Sequence, residues 1–345
     1  MRKQSSRTLN RRVVLGGALL GPAIAGATLA GCGSGDDPRP RSSAATPLDN
    51  GYVAAPPQPQ VFAPPPQLDR SGEGHAELPM ARGARLYYWD TGGDGEAVVM
   101  VHAATGSAFV WAYQQRAFAA AGYRVIAYSR RGYRGSDAGP VDQRGRALAG
   151  SGRPLDDLES VVNHLGLSKF HLLGHAGGGG IANGYLKERA DRILSAISVA
   201  SIQGIADEDW TARTNGIRGA GGADELGSFN SNPVELREVG ASYRWANPDG
   251  LAAWIALEDE NRPVAVDHAA GVEVTWSDIE ARTFPTLLIA GDADLYAPPS
   301  MYRYLQSRVP RSQLCVISEA GHSVYWEQPE AFNQTVLAFL DRRRG

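Results

Sequence analysis

Cysteine is scarce in this chain: its 345 residues include only Cys32 and Cys315. That excludes a disulfide framework. A surplus of either charge is also lacking. The 34 Lys and Arg against 37 Asp and Glu leave a formal net charge of −3, and no basic stripe appears. Nothing electrostatic therefore points to nucleic acid. No internal repeat is visible, which sets aside solenoids and propellers. His164, His171 and His268 show no metal-ligand spacing with one another or with acidic residues. The glycine run from Gly177 to Gly180 is not followed by Gly-Lys-Ser/Thr, so it is not a phosphate cradle. It reads instead as close helix-to-strand packing. No cofactor and no metal are implied, and oligomeric state is open.

What is present begins with a leader. Arg2, Lys3, Arg7, Arg11 and Arg12 precede an apolar, small-residue stretch from Val13 to Ala30 that closes on Leu29-Ala30-Gly31-Cys32. Residues 1–32 read as a signal peptide. Arg11-Arg12 resembles a twin-arginine export signal, and the closing tetrad resembles a bacterial lipobox. The implied protein is an exported lipoprotein, periplasmic or anchored in the cell envelope through a lipid on Cys32. A single transmembrane anchor is the alternative. Residues 33–78, rich in Pro, Gly, Ser and Gln, read as a tether, with an arm lying on the domain at Val61-Phe62 as the other possibility.

From residue 79 short apolar runs alternate with helical stretches, the pattern of a mostly parallel α/β sheet covered by helices on both faces. Strands are expected at Arg85 to Trp89, Ala97 to Val101, Arg124 to Tyr128, from Phe170, and at Ala196 to Ala200, Pro285 to Ala290 and Gln313 to Ile317. Residues 202–282 break the rhythm with Trp210, Phe229, Tyr243, Trp245, Trp254 and Trp276 among Gly-, Asn- and Asp-rich connections, and read as an inserted cap. The core is then 79–201 with 283–345.

The stretch Leu172-Leu173-Gly174-His175-Ala176-Gly177-Gly178 has the layout of a nucleophile elbow, a sharp strand-to-helix turn that displays one side chain above a sheet. The motif asks for Gly-x-Ser-x-Gly, and its centre here is Ala176. Four separated motifs in one order resemble the α/β-hydrolase superfamily, in its cap-bearing, esterase- and epoxide-hydrolase-like branch, over roughly residues 80 to 342. The resemblance implies an eight-stranded sheet with the cap after the sixth strand. It implies Asp294 as the acid in Gly291-Asp292-Ala293-Asp294 (Asp292 being the alternative), and His322 as the base in Gly321-His322. It also implies an oxyanion hole from the amides of Ala104, after His102-Ala103, and Gly177. Ala103 replaces the family's glycine and Ser129 its usual aspartate. His102 and the Arg131 to Ser136 turn read as structural. His175, Trp210 and Trp254 are candidates for contact with substrate.

Loss of a triad serine costs about 10⁶-fold in turnover, so an acyl-enzyme at position 176 is closed. Neither Ser107 nor Cys315 obviously substitutes. Three readings stay open. One is an enzyme that uses His322, Asp294 and the oxyanion hole on a small apolar or aromatic carbonyl, ester or lactone compound, by a hydrolytic, lyase or cofactor-free oxygenase route without a protein nucleophile. The second is a ligand-binding relative that has lost turnover. The third is a serine-to-alanine variant of an ordinary esterase.

Overall fold

Runs dominated by Val, Leu, Ile and Ala make strands that can be buried on both faces, and these form the middle of the sheet. β4 (Ala97–Val101), β6 (Phe170–His175) and β8 (Thr286–Gly291) are buried at every position. The computed structural model describes residues 52–53, 65–81, 83–217, 229–261 and 272–342. Within these lie also β1 (Tyr52–Val53), β2 (Glu73–Glu77), β3 (Arg85–Asp90), β5 (Arg124–Tyr128), β7 (Ile193–Val199) and β9 (Ser312–Ile317). One sheet joins them in the order β1-β9-β8-β7-β6-β4-β5-β3-β2. The pairs from β5 through β4, β6, β7 and β8 to β9 are parallel, and β3 runs antiparallel to both β5 and β2.

Alternation along β4 builds two cores. Val98 and Met100 face one apolar layer with Trp111, Phe118, Phe332 and Val336. Val99 and Val101 face the other, with Leu155, Leu158, Val161 and Tyr185. The helix Pro154–His164 supplies much of the second layer. It starts where Pro154 fixes the first turn and where the Asp156 carboxylate accepts the Arg153 backbone N–H at 2.7 Å.

The order of strands reverses about β4, since β5 lies on one side of it and β6 on the other. Loops leaving the carboxyl ends of β4 and β6 therefore diverge over a crevice, the place where open parallel sheets bind ligands. Insertion of residues between β7 and β8 adds helices Glu208–Ile217, Val234–Glu238, Ala241–Ala246, Pro248–Asn261 and Trp276–Glu280. These helices occupy the stretch that the sequence reading takes as an inserted cap.

The structure departs from expectation at the amino-terminal edge. Glu73–Glu77, inside the expected tether, is a strand paired along its length with β3, so the core starts before residue 79. Glu-Gly-His-Ala-Glu carries no apolar run and only Ala76 is buried, so the ladder with β3 alone makes it a strand. Tyr52–Val53 adds a ninth strand by pairing with Val316 and Ile317 of β9. The outer edge of β9 is one that a further segment can pair with. The leader with Cys32, and Val61-Phe62, lie outside the described residues.

Candidate active site

The elbow forms as the sequence layout requires. β6 ends at His175, the helix Gly177–Glu188 begins two residues later, and Ala176 between them has φ 48° and ψ −117°. A non-glycine residue held there stores about 1–3 kcal/mol, which the surroundings must over-determine. They do so through both sides of the peptide. The Ala176 N–H donates to Val199 at 3.0 Å, and its carbonyl accepts from Gly179 N–H at 2.9 Å and Ser201 Oγ at 2.8 Å. Close approach explains two of the glycines: a methyl at Gly178 would sit 2.3 Å from the Val101 carbonyl oxygen, and one at Gly174 would sit 2.8 Å from Gly179 Cα. Gly180 faces open space, so packing explains the run only in part.

Beside the elbow stands the loop after β4. A Cβ at Gly177 would lie 3.6 Å from the Ala104 nitrogen, so the two amides expected to form an oxyanion hole are neighbours. The first residue of a helix has no intrahelical acceptor for its N–H, which leaves the Gly177 amide available to a ligand. His102 is committed elsewhere: Nδ1 donates to the Ala103 carbonyl at 2.6 Å, and Nε2 accepts the Arg130 N–H at 2.9 Å. Ser107 is also committed, donating to the Asn261 side chain and accepting from Phe109 N–H at 3.2 Å. Burial pushes the Cys315 thiol up to about 11, far from a reactive thiolate.

Across the cavity, the loops after β8 and β9 bring Asp294 and His322 together. Each Asp294 carboxylate oxygen lies 3.0 Å from His322 Nδ1. Oδ1 also accepts the N–H groups of Tyr296 at 2.7 Å and Ala297 at 3.1 Å. Asp292 is exposed and does not bond the imidazole; its side chain accepts the Ala320 N–H at 3.4 Å.

The Nε2 side of His322, where a serine hydroxyl stands in a Ser-His-Asp triad, faces a second carboxylate. Glu238, on the cap helix Val234–Glu238, places Oε2 3.8 Å from Nε2. Burial opposes a charge on His322, yet Asp294 and then Glu238 push the imidazole up to about 9. Burial would raise Asp294 too, but the imidazole and the two backbone donors hold it below its ordinary value. Glu238 has no such set of donors, and burial drives it above the ordinary carboxylate range.

The three substrate contacts expected from sequence do not line this cavity. His175 is fully buried beneath the loop, where its Nε2 donates to the His322 carbonyl at 2.9 Å and its ring meets Trp111 and Tyr325. Burial, then the neighbouring His322, depress it to about 3, so it is neutral and positions His322. Trp210 packs on Trp276 and Tyr304, and its indole N–H donates to the Ile202 carbonyl at 2.9 Å. Trp254 belongs to the main core and donates to Ser323 Oγ at 3.2 Å. These aromatics dock the cap on the core. Trp245 does neither, at 89% exposure.

A cavity of about 300 Å³ remains, lined among others by Ala104, Ala176, Gly177, Glu238, Tyr296 and His322. Sequence reasoning missed Glu238 and Tyr296. Glu238 lies in Val-Glu-Leu-Arg-Glu, a stretch indistinguishable from a solvated helical face, and no local signal marks it.

Chemically, the arrangement offers neighbouring amide donors that could hold an oxyanion, a buried imidazole fixed by a carboxylate, and no nucleophilic side chain at the elbow. A family model described as alpha/beta hydrolase fold matches residues 96–329. Among curated proteins, the chain is 29% identical to a 2-hydroxy-6-oxononadienedioate/2-hydroxy-6-oxononatrienedioate hydrolase of Comamonas testosteroni, over 72% of this chain and 88% of that one. It is 27% identical to a 2-hydroxy-6-oxo-6-phenylhexa-2,4-dienoate hydrolase of Burkholderia cepacia, over the same shares, 72% and 88%. Among solved structures, it resembles a bromoperoxidase from Bacillus anthracis, with TM-score 0.62 and 24% identity over 78% of this chain and 99% of that one.

Proposed function

The chain belongs to the alpha/beta hydrolase fold family, and on that premise we propose that it hydrolyses a small apolar or aromatic ester, lactone or related carbonyl compound in the cavity over Ala176. Water takes the place of a protein nucleophile. The observation that carries this reading is the Asp294–His322 pair, bonded at 3.0 Å and buried, facing an elbow whose strained backbone is kept although its side chain is a methyl. His322 moves the proton, Asp294 fixes its ring orientation and tautomer, and the amides of Ala104 and Gly177 receive the oxyanion. The curated relatives named above act on oxo-dienoates, which favours a substrate with an activated carbonyl.

The test is turnover of a panel of phenyl, 4-nitrophenyl and lactone substrates by the unchanged chain and by Ala176→Ser. The unchanged chain should hydrolyse at least one member. The new serine should add little, because Glu238 Oε2 already faces Nε2 at 3.8 Å. A gain approaching the roughly 10⁶-fold that a triad serine commands would overturn the reading in favour of an ordinary serine esterase lacking its serine. Binding without turnover in both forms would point to a ligand-binding relative.

The proposal extends to the leader. Leu29-Ala30-Gly31-Cys32 supports a lipid anchor at Cys32 behind a twin-arginine signal. Expressed in a bacterium, the unchanged chain should fractionate with membranes and Cys32→Ala should not. Equal distribution of the two forms would remove the anchor from the reading.

A further inference from the structure

We propose that Glu238 is a catalytic residue of this site: it takes the proton of the attacking water, while His322 supplies the proton to the leaving group. The inference rests on the hydrolytic reading above and assigns the base and the acid within it.

Geometry carries it. Glu238 Oε2 and His322 Nε2 are 3.8 Å apart, too far for a direct hydrogen bond and near enough for one water to bond both. Both side chains line the cavity above Ala176 and beside the Ala104 and Gly177 amides. Oε2 is buried and has no hydrogen-bond partner among the described residues. A buried acceptor left without a partner is costly, so a carboxylate kept in that condition against the cavity is poised for a ligand or water.

The rest of Glu238 is held firmly. Its backbone carbonyl accepts the Ser323 N–H at 2.9 Å, one residue past His322. The neighbouring Tyr296 hydroxyl offsets part of the effect of burial on its carboxylate and accepts from Arg237 Nη1 at 2.6 Å. Behind this contact Glu327 Oε2 accepts the N–H of Gly240 at 2.8 Å and of Gly321 at 2.9 Å, tying the cap segment to the histidine loop. A methyl at Gly321 would lie 2.5 Å from the Gly240 nitrogen, so the two backbones are in contact. Around the imidazole, then, stand Asp294 at Nδ1, Glu238 at Nε2, the Tyr296 and His175 rings, and Glu327 under the loop.

The step balances. Water oxygen bonds to the carbonyl carbon and one of its protons passes to the Glu238 carboxylate. The carbonyl π pair moves to oxygen, where the two amides hold it. Collapse breaks the bond to the leaving group, which takes the Nε2 proton of imidazolium His322. The proton on Glu238 then returns to His322, and acid and alcohol leave.

Two esters separate the roles. Phenyl acetate needs a proton on its leaving group, whereas 4-nitrophenolate leaves without one. Glu238→Gln should lower kcat on both by about 10²-fold or more, with partial recovery of Glu238→Ala by added formate. His322→Gln should lower kcat on phenyl acetate far more than on 4-nitrophenyl acetate. Unchanged kcat in Glu238→Gln on both esters overturns the proposal, and so does an equal loss on both in His322→Gln. If the unchanged chain hydrolyses no member of the phenyl, 4-nitrophenyl and lactone panel, the hydrolytic reading falls, and imidazole NMR decides for Glu238 alone. A His322 titration lowered by about one pH unit or more in Glu238→Gln keeps the proton pairing, and an unmoved one overturns it.

Discussion

Replacing His322 by alanine is expected to lower turnover of phenyl acetate by about 10³-fold, the middle of the range for loss of a positioned acid–base group. The residual rate comes from the Ala104 and Gly177 amides and from confinement in the cavity, which the substitution leaves in place. The expected pH dependence has a definite sign. His322 is pushed up to about 9 by Asp294 and Glu238 against the opposing effect of burial. As the acid it is competent below that value, so kcat on phenyl acetate should fall as pH rises through about 9. The same raised value contributes folding stability that is fully present below pH 6.5, the ordinary histidine value, and is lost as pH rises through about 9. His322→Ala also leaves Asp294 and Glu238 as two buried carboxylates without a cation between them. His322→Gln, which keeps a hydrogen-bonding side chain, is therefore the companion variant, and circular dichroism of both separates a lost acid from a lost fold. Turnover by well-folded His322→Gln equal to that of the unchanged chain would refute the role.

The largest stability effect is expected far from the chemistry, at Arg131. In the turn after β5 this side chain is buried with Asp157 of the helix Pro154–His164. Its Nε donates to Asp157 Oδ2 at 2.7 Å, a second bond joins Nη2 to Oδ1, and Nη2 donates to the Ser151 carbonyl at 2.8 Å. Removing one partner of a buried pair leaves an uncompensated charge and costs about 3–5 kcal/mol. Burial already pushes Asp157 up to about 6, with Arg131 holding it back. Arg131→Ala removes that restraint and raises it further. A carboxyl whose folded value lies above its unfolded one loses stability as pH rises toward the folded value. The penalty in urea unfolding should therefore be larger at pH 7 than at pH 5. A loss below about 1 kcal/mol, or one equal at both pH values, would show that the pair is not what holds the turn. Ser136 in the same turn has a separate task, donating to the Ser129 carbonyl at 2.6 Å and accepting the Tyr87 N–H at 2.9 Å.

Much of this protein was legible without coordinates. Apolar runs at Ala97 to Val101, Phe170 to Leu173 and Pro285 to Ala290 determine central parallel strands, because only residues buried on both faces can be apolar throughout. Gly174-His175-Ala176-Gly177-Gly178 determines the elbow, because small residues are what a turn packed on Val101 and Gly179 admits. His322 and Asp294 were singled out by the resemblance of Gly321-His322 and Gly291-Asp292-Ala293-Asp294 to the α/β-hydrolases, and the structure brings the two side chains to 3.0 Å. The edge was not legible. Glu73–Glu77 is a strand by virtue of its ladder, and Tyr52–Val53 by virtue of an open edge on β9. Trp210 and Trp254 do not line the cavity over Ala176; sequence reports their bulk and not the direction they face.

What only the tertiary structure decided is the far side of His322. The family resemblance implies that a histidine and an aspartate meet over an elbow bearing alanine. It is silent on Glu238, because that carboxylate reaches Nε2 through the docking of the cap segment 238–240 on the loop 321–323, sealed by Glu327 and two apposed glycines. Secondary-structure pattern follows from each residue's own neighbours along the chain. A carboxylate placed 3.8 Å from an imidazole 84 residues away (322 − 238) follows only from how two separately formed pieces pack.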